Sequence, residues 1–241
     1  MTEAAVLLPL VRRWERHVPL SEADQRALLA LPSTRRTFSR DAYMVREGEP
    51  TASCNLLISG FAFRQKVSSE GARQIISIHI QGEFVDLQNF LLEESDHNVQ
   101  SLGRAEVAII PKQALSDLVA AREQVARALW RETLIDASIF REWVVNVGRR
   151  SATARIAHLL CELALRLRAA GLCEEDYCEF PLTQEQLADA TGLTAVHTNR
   201  TLQSLRKEGL ISLTAKKLTV LDWNGLAAIG DFSERYLHHT V

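Results

Sequence analysis

No long apolar run is present. The longest, Ala4 to Val11, is far short of the ~20 residues that a membrane span needs. Glu3 precedes that run and Arg12-Arg13 follows it, which is not the order of a secretory leader, so a cytoplasmic location is expected. Cysteine is scarce. Cys54, Cys161, Cys173 and Cys178 are too few and too scattered for a disulfide framework. No nucleophile elbow or phosphate-cradling loop is found. Charge of neither sign dominates: 28 Lys and Arg oppose 30 Asp and Glu. The remaining composition, 46% hydrophobic and 24% charged, is that of a globular protein and excludes a disordered or collagen-like chain. Its 241 residues suffice for two domains of roughly 100 residues each.

Net charge averages over domains. Between Thr183 and Leu221 five basic residues (Arg200, Arg206, Lys207, Lys216, Lys217) face three acidic ones (Glu185, Asp189, Glu208). The acidic cluster Glu174, Glu175, Asp176 and Glu179 lies just before and masks them in the total. A local basic face is what DNA requires.

Residues 1–34 read as short helices. Ser21 is placed to cap one from Glu22 to Leu31, and Pro32 ends it. From residue 35 to 111, short alternating apolar runs are punctuated by Gly48, Gly60, Gly71 and Gly82. Ile76, Ile78 and Ile80 alternate with Ser77 and His79, the period of a half-buried strand. Many short strands at about ten-residue spacing predict a small antiparallel barrel or sandwich. Residues 113–147 contain neither proline nor glycine and predict one helix of more than 30 residues. Trp130, Leu134, Ala137, Ile139, Trp143, Val144 and Val147 give it a broad apolar stripe. The stripe either lies along its own β-domain or meets a second copy. Its width favours a dimer interface of Trp130, Leu134, Ala137, Ile139, Val144 and Val147. Asp136, Arg141 and Asn146 break a strict heptad, so irregular packing is expected. Gly148 is read as the end of that helix, and Ser151 as the cap of the next, which stops at Gly171.

The segment from Leu182 to Leu205 carries the chemistry. Thr183 with Gln186 forms a capping box. Ala188 is small enough for a second helix to approach, Gly192 supplies a tight turn, and Thr194 caps that helix. This is a helix-turn-helix. On the second helix Leu202 and Leu205 face inward, and His197, Arg200 and Ser204 share another face flanked by Val196, Asn199 and Gln203. Arg200 can pair with guanine, worth ~1–3 kcal/mol of discrimination, and Asn199 or Gln203 can read adenine. His197 can donate to a base or phosphate, and Thr183, Thr194 and Thr198 are assigned to the DNA contact. Leu210–Leu213 and Leu218–Leu221 alternate as two strands, a wing with Lys216 and Lys217 at its tip for backbone contacts.

In the order of these parts the chain resembles the Crp/Fnr family of transcription regulators. Local matches are Arg46-Glu47-Gly48-Glu49, Ile58-Ser59-Gly60, Gln81-Gly82-Glu83-Phe84, and Gly192 through Leu202. The resemblance covers nearly the whole chain. It implies an α+β fold: an N-terminal antiparallel β-roll (a cupin-like jelly roll) over 1–112, a dimerisation helix over 113–147, and a C-terminal winged helix-turn-helix over 148–241. Arg200 sits where the family places its base-reading arginine. Val196 stands where the best-known members carry Glu, so a different half-site is implied. Thr198 replaces a usual aliphatic core residue.

In cyclic-nucleotide-binding members a Gly-Glu pair and a downstream Arg hold ribose and phosphate. The corresponding stretch here is Phe84 to Asn89, and the Arg position falls near His97 or Asn98. Glu93, Glu94 and Asp96 would repel a phosphate, so cyclic AMP is not expected. Phe84, Asp86, Gln88, Asn89, His97 and Asn98 remain as a candidate pocket for another effector. Iron–sulfur members carry an N-terminal cysteine cluster, which has no counterpart before Cys54. Cys173 and Cys178 lack the spacing of a zinc or redox pair, and Cys161 reads as core. His79 falls among outward positions and reads as a surface or dimer-facing residue rather than a haem ligand. No metal and no required cofactor are expected.

Three functions compete. The first is a homodimer reading a pseudo-palindrome in duplex DNA, with RNA polymerase as a further partner if it activates and no membrane partner. The second is a small-molecule sensor acting through protein partners, against which the basic second helix argues. The third is a cupin-like enzyme, which needs clustered His and carboxylates where the strands supply only His79. No enzymatic activity is expected.

Overall fold

The computed structural model describes residues 6–174 and 176–238. Glu175 of the acidic cluster, and Glu3 and Ala4 before the first helix, lie outside the described residues. The chain divides into two compact units, one of Met1–Lys66, Ser77–Ala137 and His239–Val241, the other of Val67–Ile76 and Ser138–His238.

The first unit begins with α1 (Leu8–Glu15) and α2 (Glu22–Leu29). Ser21 caps α2 through a reciprocal box, its hydroxyl accepting from Asp24 N–H and the Asp24 carboxylate accepting from Ser21 N–H. The strands are β1 (Thr34–Phe38), β2 (Tyr43–Val45), β3 (Ser53–Ser59), β4 (Ala62–Val67), β5 (Arg73–His79), β6 (Asn98–Ser101) and β7 (Ala105–Pro111). They form two antiparallel sheets, ordered β1-β7-β3 and β2-β6-β4-β5. Gly60 turns β3 into β4 at φ +79, where a Cβ would lie 2.5 Å from the Arg104 carbonyl oxygen. Only glycine fits there. Inside the roll, Phe38, Val45, Leu57, Val85, Val99 and Val107 form one apolar cluster. Leu10, Trp14 and Leu28 of the first helices join Leu56, Ile110 and Leu115 in another.

The expected single long helix is two. Arg122 is extended (φ −135, ψ 100), and the chain forms α3 (Lys112–Ala121) and α4 (Glu123–Arg149). Leu115 of α3 and Val125 of α4, on either side of that break, lie in the same core cluster. Gly148 does not end α4, because a helical glycine costs only about 1 kcal/mol. The helix stops one residue later, and Ser151 caps α5 (Ala152–Ala169) by accepting from Ala154 N–H.

His79 is not on the surface. It is 2% exposed, because Ser77, Ile78 and His79 are all covered and both faces of β5 are buried there. Burial first, then the Arg64 guanidinium, lower its pKa to about 4, so the ring is neutral. Around it runs a buried ionic band. Arg13 pairs with Glu83 (3.0 Å) and Glu132 (2.8 Å), and Arg64 with Asp136 (2.6 Å).

The second unit holds α5, β8 (Cys178–Glu179), α6 (Gln184–Thr191), α7 (Ala195–Lys207), β9 (Ile211–Thr214), β10 (Lys217–Val220) and α8 (Trp223–Ile229). Its sheet is ordered β8-β10-β9. Ile156, Leu159, Leu160, Leu163 and Leu167 of α5 are buried, as the sequence pattern implies.

Candidate nucleic-acid interface

Local chemistry fixes α6 and α7. The Thr183 hydroxyl accepts from Gln186 N–H (3.1 Å), and the Gln186 side-chain oxygen accepts from Thr183 N–H (2.9 Å). Gly192 ends α6 in the left-handed region at φ +64. Arg155 of α5 donates to the Thr191 carbonyl at 3.0 Å, satisfying a carbonyl that the helix end leaves open. Thr194 then caps α7 by accepting from His197 N–H.

One side of α7 is core: Thr198, Thr201, Leu202 and Leu205 are buried, as are Leu187, Ala188 and Ala190 of α6. The opposite side is open. Val196 is 80% exposed, and Arg200, Gln203, Ser204 and Lys207 are exposed with it. Val196, Arg200, Gln203 and Lys207 recur at four-, three- and four-residue spacing, a single stripe. Lys207 was counted with the basic residues but not assigned to the site, and helical spacing from Arg200 is the signal that finds it. Arg206 is half-buried and donates to the Leu213 carbonyl, so it braces β9.

Several assigned residues sit elsewhere. Thr198 is fully buried and cannot reach a phosphate, because it lies on the face of α7 opposite Val196 and takes the position of a core side chain. His197 and Asn199 are half-buried at the edges of the stripe, and the Asn199 amide donates to Gln184 Oε1 at 2.7 Å. Ser204 donates to Glu208 Oε1 at 2.7 Å.

The wing is a hairpin of β9 and β10 in which Lys217 pairs with Thr214. Ala215 (φ 48) and Lys216 (φ 62) are both left-handed, the type I′ geometry that matches strand twist. Lys216 and Lys217 are exposed. Sequence reasoning missed the third strand. β8 pairs along β10, Glu179 against Lys217 and Cys178 against Leu218. It also misread two cysteines, one before β8 and one opening it: Cys173 and Cys178 form a disulfide. A separation of five is at the long end for a metal pair, but the two cysteines face each other across an antiparallel bridge.

Most of the residues assigned to an effector pocket pair their polar atoms internally, although the buried Asn89 Oδ1 has no partner among the described residues. Asp86 is fully buried and accepts from both the backbone and the side-chain amide of Asn55 (2.6 Å each) and from Asn89 (3.2 Å). Burial raises its pKa to about 6 against these donors. Gln88 meets His97, which also meets Asp96. Asn98 accepts from Glu47 N–H, and Phe84 joins the outer core cluster. The nearby Arg64 donates to Asp136 and to the Val85 carbonyl, with the buried carboxyl groups of Asp86 and Glu83 in the same domain. Among the described residues no group of three His, Cys, Asp or Glu is placed to hold a metal ion.

On α4, Trp130, Leu134 and Val144 are 64%, 60% and 54% exposed, and Ala137 and Val147 are partly exposed. Ile139 is 7% exposed and packs within its own chain, so it offers nothing to a partner. Asp136 pairs with Arg64 while staying partly exposed, and Asn146 is buried and donates to the Arg155 carbonyl, so Asn146 does not interrupt the exposed stripe. Arg141 is exposed. Among the described residues no helix is long and apolar enough to cross a membrane.

Two family models match the chain. A cyclic nucleotide-binding domain matches residues 35–122, and a Crp-like helix-turn-helix domain matches residues 154–229. The chain is 24% identical over 210 residues to the transcriptional activator protein anr of Pseudomonas aeruginosa, covering 87% of this chain and 86% of that one. It is 26% identical over 188 residues to the nitrogen fixation regulation protein FixK of Bradyrhizobium diazoefficiens, covering 77% of each. Its fold is similar to the solved structure of FixK2 from Bradyrhizobium japonicum (TM-score 0.76, 22% identity, 83% of this chain and 98% of that one).

Proposed function

The chain belongs to the Crp/Fnr family of transcription regulators, and from that premise we propose that it works as a homodimer that lays two α7 helices in successive major grooves of a pseudo-palindromic site. It is a DNA-binding regulator with a helix-turn-helix. The observation that carries the finer reading is the open stripe of α7, whose reverse face is wholly buried.

Arg200 is the base-reading cation, with guanine O6 and N7 as the acceptors that fit a guanidinium. Gln203 reads a neighbouring base, and Val196 meets an apolar group such as a thymine methyl. Lys207, Lys216 and Lys217 bind phosphates, and so do Thr183 and Thr194 at the helix starts. The apolar stripe Trp130, Leu134, Ala137 and Val144 is the seam for the second copy. Residues 1–112 serve as the sensor, 113–147 as the dimer element and 148–241 as the DNA-binding part. The protein acts in the cytoplasm, and relatives named as activators support contact with RNA polymerase. An effector, if one acts, has to favour one arrangement of the dimer over another. The roll's self-paired polar groups speak against a nucleotide phosphate in that role, and no cofactor is required. A sensor that acts only through protein partners would not need Arg200, Gln203 and Lys207 together on one open face, and no enzymatic role is assigned.

Selection of the purified protein on randomised duplex DNA at near-physiological salt, without added ligand, tests this. The expected product is an inverted repeat with half-sites about 10 base pairs apart. Enrichment of a lone half-site, or of nothing across a panel of candidate effectors, would overturn the dimeric reading.

A further inference from the structure

The disulfide lies on the wing. Leu172 N–H donates to the Leu167 carbonyl as α5 ends, and Gly171 at φ 69 turns the chain back. Glu174 N–H donates to the Tyr177 carbonyl, and Cys173 lies opposite Cys178 across an antiparallel bridge. Cys178 opens β8, so the bonded residue is itself a strand partner of β10. Phe180 N–H donates to the Lys216 carbonyl at 2.7 Å. The Tyr177 ring, one residue from the bond, lies 3.9 Å from Lys217 Nζ. Glu174, Asp176 and Glu179 are exposed in the same segment. The covalent link therefore fixes an aromatic ring and the carboxylates of Glu174, Asp176 and Glu179 in the same segment as a cation that, under the proposed function, meets the DNA backbone.

We propose that Cys173 and Cys178 form a reversible thiol–disulfide site that weakens the wing's hold on DNA when oxidised, with a low-molecular-weight disulfide such as glutathione disulfide as the oxidant. This rests on the phosphate role given to Lys216 and Lys217. In the dithiol form the Cys173 thiolate attacks one sulfur of glutathione disulfide, and one glutathione leaves with the electron pair of the broken bond and takes up the proton that Cys173 lost. The Cys178 thiolate then attacks the Cys173 sulfur of the mixed disulfide and expels the second glutathione, which takes up the other proton. Two electrons pass from the cysteine pair to glutathione disulfide, and two glutathione thiols run the exchange backwards. Cys173 is half-buried and reachable by a small thiol. Cys54 and Cys161 are buried, and burial pushes both thiols up, Cys161 to about 12, so they stay out of the exchange.

In the oxidised form the Lys217 ammonium rests on Tyr177, and the pinned carboxylates oppose an approaching phosphate. Opening the bond releases the segment and frees the ammonium. One added phosphate contact corresponds to about fivefold in affinity near 0.15 M salt.

The test uses the full chain equilibrated at several ratios of reduced to oxidised glutathione. Alkylation and intact mass report the state of the pair, and anisotropy reports affinity for a labelled duplex of arbitrary sequence. One two-electron transition is expected on the peptide holding Cys173 and Cys178. Affinity rises about three- to tenfold on reduction. The doubly substituted Cys173→Ser, Cys178→Ser protein binds like the reduced parent in every buffer, and the Lys216→Ala, Lys217→Ala protein binds weakly in all of them. Equal or tighter binding by the verified oxidised parent overturns the proposal without reliance on any variant. So does a redox response that persists after both cysteines are replaced. Parent-like affinity in the lysine variant overturns the wing assignment together with the proposal, whereas a redox-blind parent beside a weak lysine variant overturns the proposal alone.

Discussion

Glu162 is the most exacting test of how the second unit is held together. It lies on α5 with no exposed surface, and its carboxylate accepts from Trp143 Nε1 (3.0 Å), Arg166 Nη1 (2.9 Å) and the Tyr236 hydroxyl (2.9 Å). Burial and the Glu162 charge keep the Tyr236 phenol protonated well beyond the usual range, so it remains a donor. Replacing Glu162 with Ala leaves the Arg166 guanidinium, 5% exposed, without this carboxylate in a buried site. Removing one partner of a buried pair costs about 3–5 kcal/mol. The two neutral donors add to that, but neighbouring losses do not sum, so about 4 kcal/mol is expected. A domain is stable by only about 5–15 kcal/mol, so Glu162→Ala brings the unit close to unfolding. Hydrogen exchange of the α5 amides measures this without separating the units. Protection is expected to fall by about three orders of magnitude, since each 1.4 kcal/mol is tenfold. Glu162→Gln keeps one accepting oxygen but turns an amide N–H₂ toward the donors, and about half the loss follows. Tyr236→Phe removes one donor and costs about 1 kcal/mol. A loss below 1 kcal/mol for Glu162→Ala, or a larger loss for Tyr236→Phe, would refute the reasoning.

Three further outcomes are expected. Arg200→Ala lowers discrimination at one base pair of each half-site by about 1–3 kcal/mol while leaving binding to arbitrary DNA nearly unchanged; competition between matched and mismatched duplexes checks it, and an intact preference removes Arg200 from the reading face. Leu134→Glu places a charge in the proposed seam and shifts sedimentation toward the monomer, whereas Ile139→Ala leaves association intact and destabilises the fold by about 2–5 kcal/mol; the reverse pattern would exchange their roles. His79 has its pKa lowered to about 4 from 6.5, so its contribution to stability is present above pH 6.5 and is lost as pH falls through 4, by about 3 kcal/mol. Asp86, raised to about 6 from 3.8, acts in the opposite sense, its contribution present below 3.8 and lost as pH rises through 6. Melting of parent and His79→Gln between pH 7 and 4 isolates the histidine: the parent's advantage over the variant shrinks on acidification, and a constant difference would contradict a buried neutral ring.

What could be read from the sequence was chemistry confined to a few neighbouring residues. The Thr183–Gln186 box, the Gly192 turn, the Thr194 cap and the wing all answer backbone demands met within four or five positions, and they stand where the sequence puts them. The glycine-punctuated strands are of the same kind. Thr198 failed for a reason the sequence also contained: two positions on from Val196 is the opposite side of a helix. His79 failed because alternation marks an outward face only where one face meets solvent, and both are covered at the end of β5.

The remaining errors turn on partners that no local pattern names. α4 carries two apolar faces, one closed within the chain by Ile135, Ile139 and Trp143, the other open at Trp130, Leu134 and Val144. Summed along a sequence they make one stripe of unusual width, and periodicity does not say which face meets its own chain. The same holds for charge. Arg13 meets Glu132 across 119 positions and Arg64 meets Asp136 across 72, so groups that look like fully solvated charges pair within the first unit, and only Asp136 among them stays substantially exposed. Asp136 is the instructive residue. As a break in a heptad it argues against a regular seam, yet its carboxylate, still partly exposed, is drawn to Arg64. The exposed spacing of Trp130, Leu134, Ala137 and Val144, four, three and seven, is then more regular than the sequence allowed, although of the three residues that seemed to interrupt it Arg141 stays exposed and Asp136 partly so, while Asn146 is buried.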